Sequence, residues 1–232
     1  MDQTPFTTID LGLTPYTQAL DIQRHHLEEV LAFRESGARE VGRLLLVEHP
    51  PVITLSNRPT SATNLVATPA TLAAAGVEVQ PTDRGGDITY HGPGQLVAYP
   101  IFDLNRLSLR IHEHMRMLET AVISTCSQFG VHAVRDPAAT GVWVNNPSNA
   151  SAPSAKVCAM GVRVRRWVSM HGLAINVTTN LDHFNLIIPC GLAGRPVTSL
   201  QRILGDRCPT MPEVKAALIN SLASEINARI AT

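Results

Sequence analysis

Two residues in this chain have the chemistry and the setting of a reactive pair. Cys190 stands between Pro189 and Gly191. Proline fixes φ on one side and glycine leaves room on the other. That suits a nucleophile on a tight turn with a backbone N–H beside it. Cysteine is equally among the most buried residue types, where it serves as inert packing. Lys156 opens a strand-forming run after a polar loop. Taken alone, a solvated lysine is its commoner fate. An ammonium about 4 Å from the thiol, however, would favour the thiolate by roughly 4 kcal/mol at an effective dielectric near 20. A free thiol, with a pKa of about 8.5, is otherwise only slightly ionised at neutral pH. Cys158 is a rival nucleophile. It lies two positions from Lys156 and would share its face of a strand, but Val157 and Ala159 flank it as in a core strand, so it reads as packing.

The run Arg84-Gly-Gly-Asp-Ile-Thr-Tyr-His91-Gly-Pro-Gly-Gln95 would build a pocket in front of this pair. It lacks the GK[ST] ending of a P-loop and is not G-x-G-x-x-G. What it offers is backbone that a ligand can approach closely, with an Arg, a Tyr and a His. Two ordinary turns around a strand are the plainer reading. The histidines give no zinc-like spacing: His25 and His26 are adjacent, and His112 and His114 point to different faces of a helix. Arg163, Arg165 and Arg166 form a small basic cluster, either a solvated strand face or a dock for an acidic carrier protein.

The elements that must position these groups can be read in order. Tyr16, Leu20, Leu27, Val30 and Leu31 recur at helical spacing, predicting a helix over 16–35. Strands follow at 44–48 and 52–55, separated by His49-Pro50-Pro51. Thr68-Pro69 opens a short helix ending at Gly76, and 77–80 is a short strand. Residues 95–104 read as a long strand. Ile111, Met115, Leu118, Val122 and Phe129 form one stripe of a helix over 110–129, with Gly130 just past its end. Residues 131–134 and 141–144 are strands, and 145–155 is a loop by composition. Residues 156–165 and 168–177 pair as a hairpin, with Val162 and Val164 alternating against Arg163 and Arg165. Thr210-Met-Pro-Glu213 is a capping-box pattern that starts the last helix. The strands cluster instead of alternating regularly with helices, which argues for a mixed α/β (α+β) architecture and against a Rossmann sheet.

Composition narrows the classes. The 232 residues suffice for one self-sufficient domain. Nineteen basic side chains balance nineteen acidic ones, which argues against a nucleic-acid or anionic-membrane partner. Four cysteines without CxxC spacing, and no early signal sequence, predict reduced thiols and a cytoplasmic protein. No apolar run approaches a membrane span.

Several motifs, in order, resemble one family. They are Glu48-His-Pro-Pro-Val-Ile-Thr-Leu55, the 84–95 run, Lys156 with Gly161, Met170-His-Gly-Leu-Ala-Ile-Asn176, and Pro189-Cys-Gly-Leu192. Together they resemble the octanoyltransferases, or lipoyl(octanoyl) transferases, across roughly residues 40–205. The resemblance implies a fold shared with biotin and lipoate protein ligases: a mixed, largely antiparallel sheet flanked by helices, here as a single catalytic domain over 1–232. It implies octanoyl transfer from acyl carrier protein to a lysine on lipoyl domains of 2-oxo acid dehydrogenases and on the glycine cleavage H protein. No cofactor or metal is implied, and nothing in the sequence demands more than a monomer. Matched residue by residue, Cys190 takes the acyl-thioester position and Lys156 the position that lowers its pKa. Arg84, Gly85, Gly86, Asp87, Ile88, Thr89, Tyr90 and His91 fall on substrate-binding segments. So do Ala159, Met160, Gly161, Gly172, Leu173 and Ala174. Ser56-Asn57 departs from the family's pattern, which often has a glycine there.

On this reading Cys190 thiolate attacks the thioester, and Lys156 takes up the proton that the acceptor lysine must lose. Backbone N–H groups near Gly161 or Gly172 are the proposed oxyanion donors. The alternatives are an ATP-dependent lipoate or biotin ligase of the same fold, a catalytically dead acyl-binding module, and a thiol hydrolase.

Overall fold

In chain order the elements are β1 (Thr7–Leu13), α1 (Tyr16–Ser36), β2 (Gly42–Glu48), β3 (Val52–Ser56), α2 (Pro69–Ala75), β4 (Glu78–Thr82), β5 (Thr89–His91), β6 (Gln95–Phe102), α3 (Ile111–Gln128), β7 (Ala133–Asp136), β8 (Ala139–Val144), β9 (Ala155–Arg165), β10 (Val168–Asn176), α4 (Leu200–Leu204) and α5 (Met211–Ile230). The computed structural model describes residues 4–36, 40–59, 61–145, 154–188 and 195–230. Two sheets result. Seven strands run in the order β1-β2-β6-β10-β9-β8-β7, and three in the order β4-β3-β5. Only β1 with β2 and β3 with β4 are parallel; the remaining pairs are antiparallel. The expected mixed, largely antiparallel sheet is therefore present.

The large sheet is covered on both faces, which is why its central strands are apolar throughout rather than alternating. Leu44 and Leu46 of β2 join α3 and α5 in one core. Leu45 and Val47 turn to the other side and meet Leu20, Leu27 and Val30 of α1. A third core sits under the small sheet, where Ile53, Ile88 and Tyr90 pack on Leu72, Phe184 and Ile187. Local chemistry sets the helix ends. Thr68 Oγ1 accepts from Thr71 N–H, Pro69 fills the first turn, and Gly76 closes α2 in the left-handed region at φ 62°. Glu213 of the 210–213 pattern reaches back to the start of α5, accepting from both Thr210 N–H and Thr210 Oγ1 at 2.7 Å. His49-Pro50-Pro51 does more than separate two strands, because β2 and β3 lie in different sheets.

The sheet is interrupted at one place that matters for function. The β10–β6 ladder runs from Leu173↔Ala98 to Asn176↔Gln95. Beyond it, Pro100 has no N–H to donate. Ser169 fills in, its hydroxyl donating to Pro100 O at 2.7 Å and accepting from Phe102 N–H at 3.1 Å. Between these points His171 adopts φ 56°, and its N–H goes to Gln23 Oε1 of α1 at 2.9 Å. A left-handed, non-glycine residue inside a strand marks stored strain, which concentrates at functional sites.

Candidate active site

A small cavity of about 40 Å³ opens at this interruption. Its wall is built from β9 and β10, where Ala159 pairs with Ala174, Met160 with Leu173 and Gly161 with Gly172. Two of these glycines are required by close approach. A Cβ on Gly161 would lie 2.4 Å from Gly85 O, and one on Gly172 would lie 2.2 Å from Ala98 O. The bare backbone lets the Arg84–Gly86 segment dock on β9, sealed by Gly85 N–H donating to Val162 O at 3.0 Å.

Ten of the expected substrate-segment residues line this cavity: Arg84, Gly86, Thr89, His91, Ala159, Met160, Gly161, Gly172, Leu173 and Ala174. The others do different work. Gly85 faces a neighbouring cleft. Ile88 and Tyr90 belong to the core under the small sheet, with Tyr90 O–H against His183 Nδ1 at 2.7 Å. Asp87 is buried and accepts from Ser61 Oγ and, at 2.7 Å, from Asn64 Nδ2. Arg84 binds the small sheet, donating through Nη2 to Thr54 Oγ1 at 2.9 Å and Thr54 O at 3.2 Å. Ser56, the departure from the family pattern, donates its hydroxyl to Gly86 O at 3.1 Å.

Sequence reasoning missed four cavity residues: Tyr16, Val97, Tyr99 and His171. The first three carried only a core signal. His171 lay inside a quoted motif, but nothing marked its backbone as unusual. The imidazoles here are neutral. Gln95 gives its NH₂ to Tyr90 O and Asn176 Oδ1, so its Oε1 accepts from His91 Nδ1–H at 2.7 Å. Burial pushes His91 down to about 3, helped by the charge of His49. His49 donates Nδ1–H to Thr14 O and accepts from Tyr99 O–H, both at 2.7 Å, and burial lowers it to about 4. His171 Nε2 meets Asp83 Oδ1 at 2.7 Å, and Asp83 also pairs with Arg163. Although His171 faces the Asp83 carboxyl group, burial and then the fields of Arg84, Arg163 and Arg24 hold it at about 3. The contact is thus a neutral N–H donating to that carboxyl group.

Lys156 does not line the cavity. It opens onto a wider cleft that shares Gly86, Met160 and Gly161 with it and also meets Arg58 and His112. It is 8% exposed, so the solvated-lysine reading fails. Its backbone is bonded on both sides to one stretch of chain: Lys156 N–H donates to Pro196 O, and Thr198 N–H to Lys156 O, both at 2.9 Å. Cys190 itself lies outside the described residues, as does most of the 145–155 loop. The described chain reaches Ile188, whose N–H donates to Asn64 O at 2.8 Å, and resumes at Arg195.

Cys158 is fully buried in the main core, and burial pushes its thiol far above the ordinary range. Packing is the right reading of it. Arg163 and Arg165 are half-exposed and pair with Asp83 and Glu28. His25, His26 and Glu29 each place one ligand atom within 4.8 Å of the others, a proximity that adjacency in sequence did not suggest. Glu29 is already held by His26 at 2.6 Å and approached by Arg43. Among the described residues, no helix is long and apolar enough to cross a membrane.

Comparison with known proteins gives a consistent picture. A sequence model of the lipoyl protein ligase A/B catalytic domain matches residues 15–223. An octanoyltransferase of Deinococcus radiodurans is 42% identical over 223 residues, covering 94% of this chain and 64% of its own. One from Chloroflexus aggregans is 44% identical over 224 residues, covering 96% of each. Among solved structures, the bipartite lipoate protein ligase of Thermoplasma acidophilum superposes with a TM-score of 0.70 at 15% identity, covering 97% of this chain and 85% of that one. At that identity the likeness concerns the fold alone.

Proposed function

Because this chain belongs to the lipoyl protein ligase A/B catalytic domain family and its curated relatives are octanoyltransferases, we propose that it transfers an octanoyl group from acyl carrier protein to a lysine of lipoyl domains, through a thioester on Cys190. The donor is octanoyl–acyl carrier protein. The acceptors are the lipoyl domains of 2-oxo acid dehydrogenases and the glycine cleavage H protein. The enzyme works as a cytoplasmic monomer, its 232 residues forming one catalytic domain.

The observation that carries the reading is the position of Lys156. It is buried beside the cavity wall, and its backbone is bonded to Pro196 and Thr198, the chain into which the Cys190 segment leads. Cys190 thiolate attacks the donor carbonyl, and the carrier sulfur leaves as a thiol with the proton of Lys156, which is then neutral for the next step. The acceptor amine then attacks the enzyme thioester, an amide forms, and Cys190 is released. The acceptor lysine, with a reference pKa of about 10.4, must lose a proton first, and Lys156 is the group to take it. The thioester supplies the driving force, so no nucleotide is needed. The Ala159–Gly161 and Gly172–Ala174 walls hold the acyl chain. At about 0.8 kcal/mol per buried methylene, each carbon of chain length is selected by a moderate factor.

Intact-protein mass spectrometry after mixing with octanoyl–acyl carrier protein, without ATP, tests this. One octanoyl adduct is expected, absent in Cys190→Ala, kept in Cys158→Ala, and discharged by an apo lipoyl domain. Acylation that appears only with ATP and free acid would make the chain a ligase instead.

A further inference from the structure

Trp143 is buried at 1% exposure and takes no part in the steps above. Its ring is fixed in place by Nε1–H donating to Ala139 O at 3.0 Å. It stands directly across from Lys156 in the β8–β9 pairing, just past a register shift after Val142. Two cations lie on this one ring. Lys156 Nζ is 4.7 Å from the ring and Arg195 Cζ is 4.1 Å from it, both within the range of cation–π attraction. Arg195 is held in turn by Asp136 of β7, and donates to Ser154 Oγ at 3.1 Å, immediately before β9. In sequence it is the fifth residue after Cys190.

We infer that Trp143 is a positioning residue for acyl transfer, holding the Lys156 ammonium and, through Arg195, the far end of the Cys190 segment against one rigid ring. This rests on the reading that Cys190 and Lys156 carry the transfer. The ring aims the lysine by its electron-rich face, with no carboxylate competing for it among the described residues. Glu119, the buried acid nearby, is occupied by Arg116, Arg135 and Gly141 N–H. The other ionisable neighbours are Arg58 and His112 across the cleft and Cys158 on the same strand. Gly141 completes the seat, since a Cβ there would come 3.4 Å from Lys156 Cε and 2.5 Å from Cys158 O.

The test reads Cys190 alkylation against pH by peptide mapping, beside octanoyl transfer kinetics, in wild type, Trp143→Leu, Trp143→Phe and Asp136→Asn. Trp143→Leu is expected to raise the alkylation midpoint by about one pH unit and slow acylation about tenfold, with little change in KM. Trp143→Phe, which keeps an aromatic face, restores most of both. Asp136→Asn, at the rim, releases Arg195 and slows acylation several-fold while the protein stays folded. An unmoved midpoint in Trp143→Leu, or Phe no better than Leu, overturns the inference. Should Trp143→Leu not fold, wild-type acylation in Asp136→Asn overturns it. A wild type that takes no octanoyl group while the Trp143→Leu midpoint still moves would sink the transferase reading and leave the positioning role standing.

Discussion

At the scale of single residues, Gly161 is where one methyl group decides whether the cavity closes. The Arg84–Gly86 segment touches β9 so tightly that a Cβ at Gly161 would meet Gly85 O at 2.4 Å. Gly161→Ala must therefore push that segment away and break the Gly85–Val162 hydrogen bond. Overpacking of this kind costs about 1–3 kcal/mol, so thermal unfolding should show a lower Tm and transfer kinetics a raised KM. Cys158→Ala is the contrasting case. Its thiol is buried, and its pKa is raised by that burial, so octanoyl adduct formation should be unchanged while stability falls by roughly 1 kcal/mol. The sequence told these two positions apart, since Gly161 stood with Lys156 in the family resemblance while Cys158, flanked by Val157 and Ala159, read as packing. His171 carried none. Its left-handed backbone arises from the loss of pairing opposite Pro100 and the capture of its N–H by Gln23, a tertiary event that no local pattern encodes.

At the scale of elements, the segment bearing Cys190 is tied down on both flanks by chain that looks unrelated in sequence. On the incoming side, Leu65 bridges Ile187, and Asn64 O holds Ile188 N–H. Asp87 fixes that loop through Ser61 and Asn64. On the outgoing side, Val197 bridges Lys156. Asp87→Ala should loosen the incoming anchor without touching the cavity. The buried Ser61 hydroxyl loses its acceptor, at about 1–3 kcal/mol, and the half-buried Asn64 amide loses its own. Acylation should slow, and hydrogen exchange at Ile188 should rise; unchanged exchange there would contradict the anchoring role. Helices α1, α3 and α5 were legible because each buries one stripe and begins or ends on a recognisable cap. β1 was not. It is an edge strand, parallel to β2 and mostly exposed, so its sequence lacks the apolar alternation that burial imposes. α4, with five residues, is too short to show a period. The Arg84–His91 run was read as one pocket-lining unit, yet the structure divides it among cavity wall, core and loop anchor, because neighbours in a turn face different ways.

At the scale of the whole molecule, four buried imidazoles make stability a steep function of acid. Burial holds His49 and His114 at about 4 and His91 and His171 at about 3, against about 6.5 in an unfolded chain. These are depressed values, so the unfolded state binds more protons across that window. Stability is complete above about pH 6.5 and is lost as pH falls toward 3–4. With up to four protons taken up on unfolding, the slope approaches about 5 kcal/mol per pH unit, enough to consume the roughly 5–15 kcal/mol that holds a domain together within two units. Denaturant titrations from pH 7.5 to 5 should show that slope, and a flat profile over the range would mean the imidazoles are not held neutral by the fold. His114 separates this effect from catalysis. It sits in α3 at 0% exposure, and neither ring nitrogen has a hydrogen-bond partner among the described residues. Leaving a buried polar group unsatisfied costs about 1–3 kcal/mol. His114→Leu should therefore stabilise the protein at neutral pH, remove about one proton from the acid slope, and leave octanoyl transfer as it was. His91 and His171, by contrast, line the cavity and stay neutral there until about pH 3, so acid unfolds the chain before it charges the walls, and activity should be lost together with the fold.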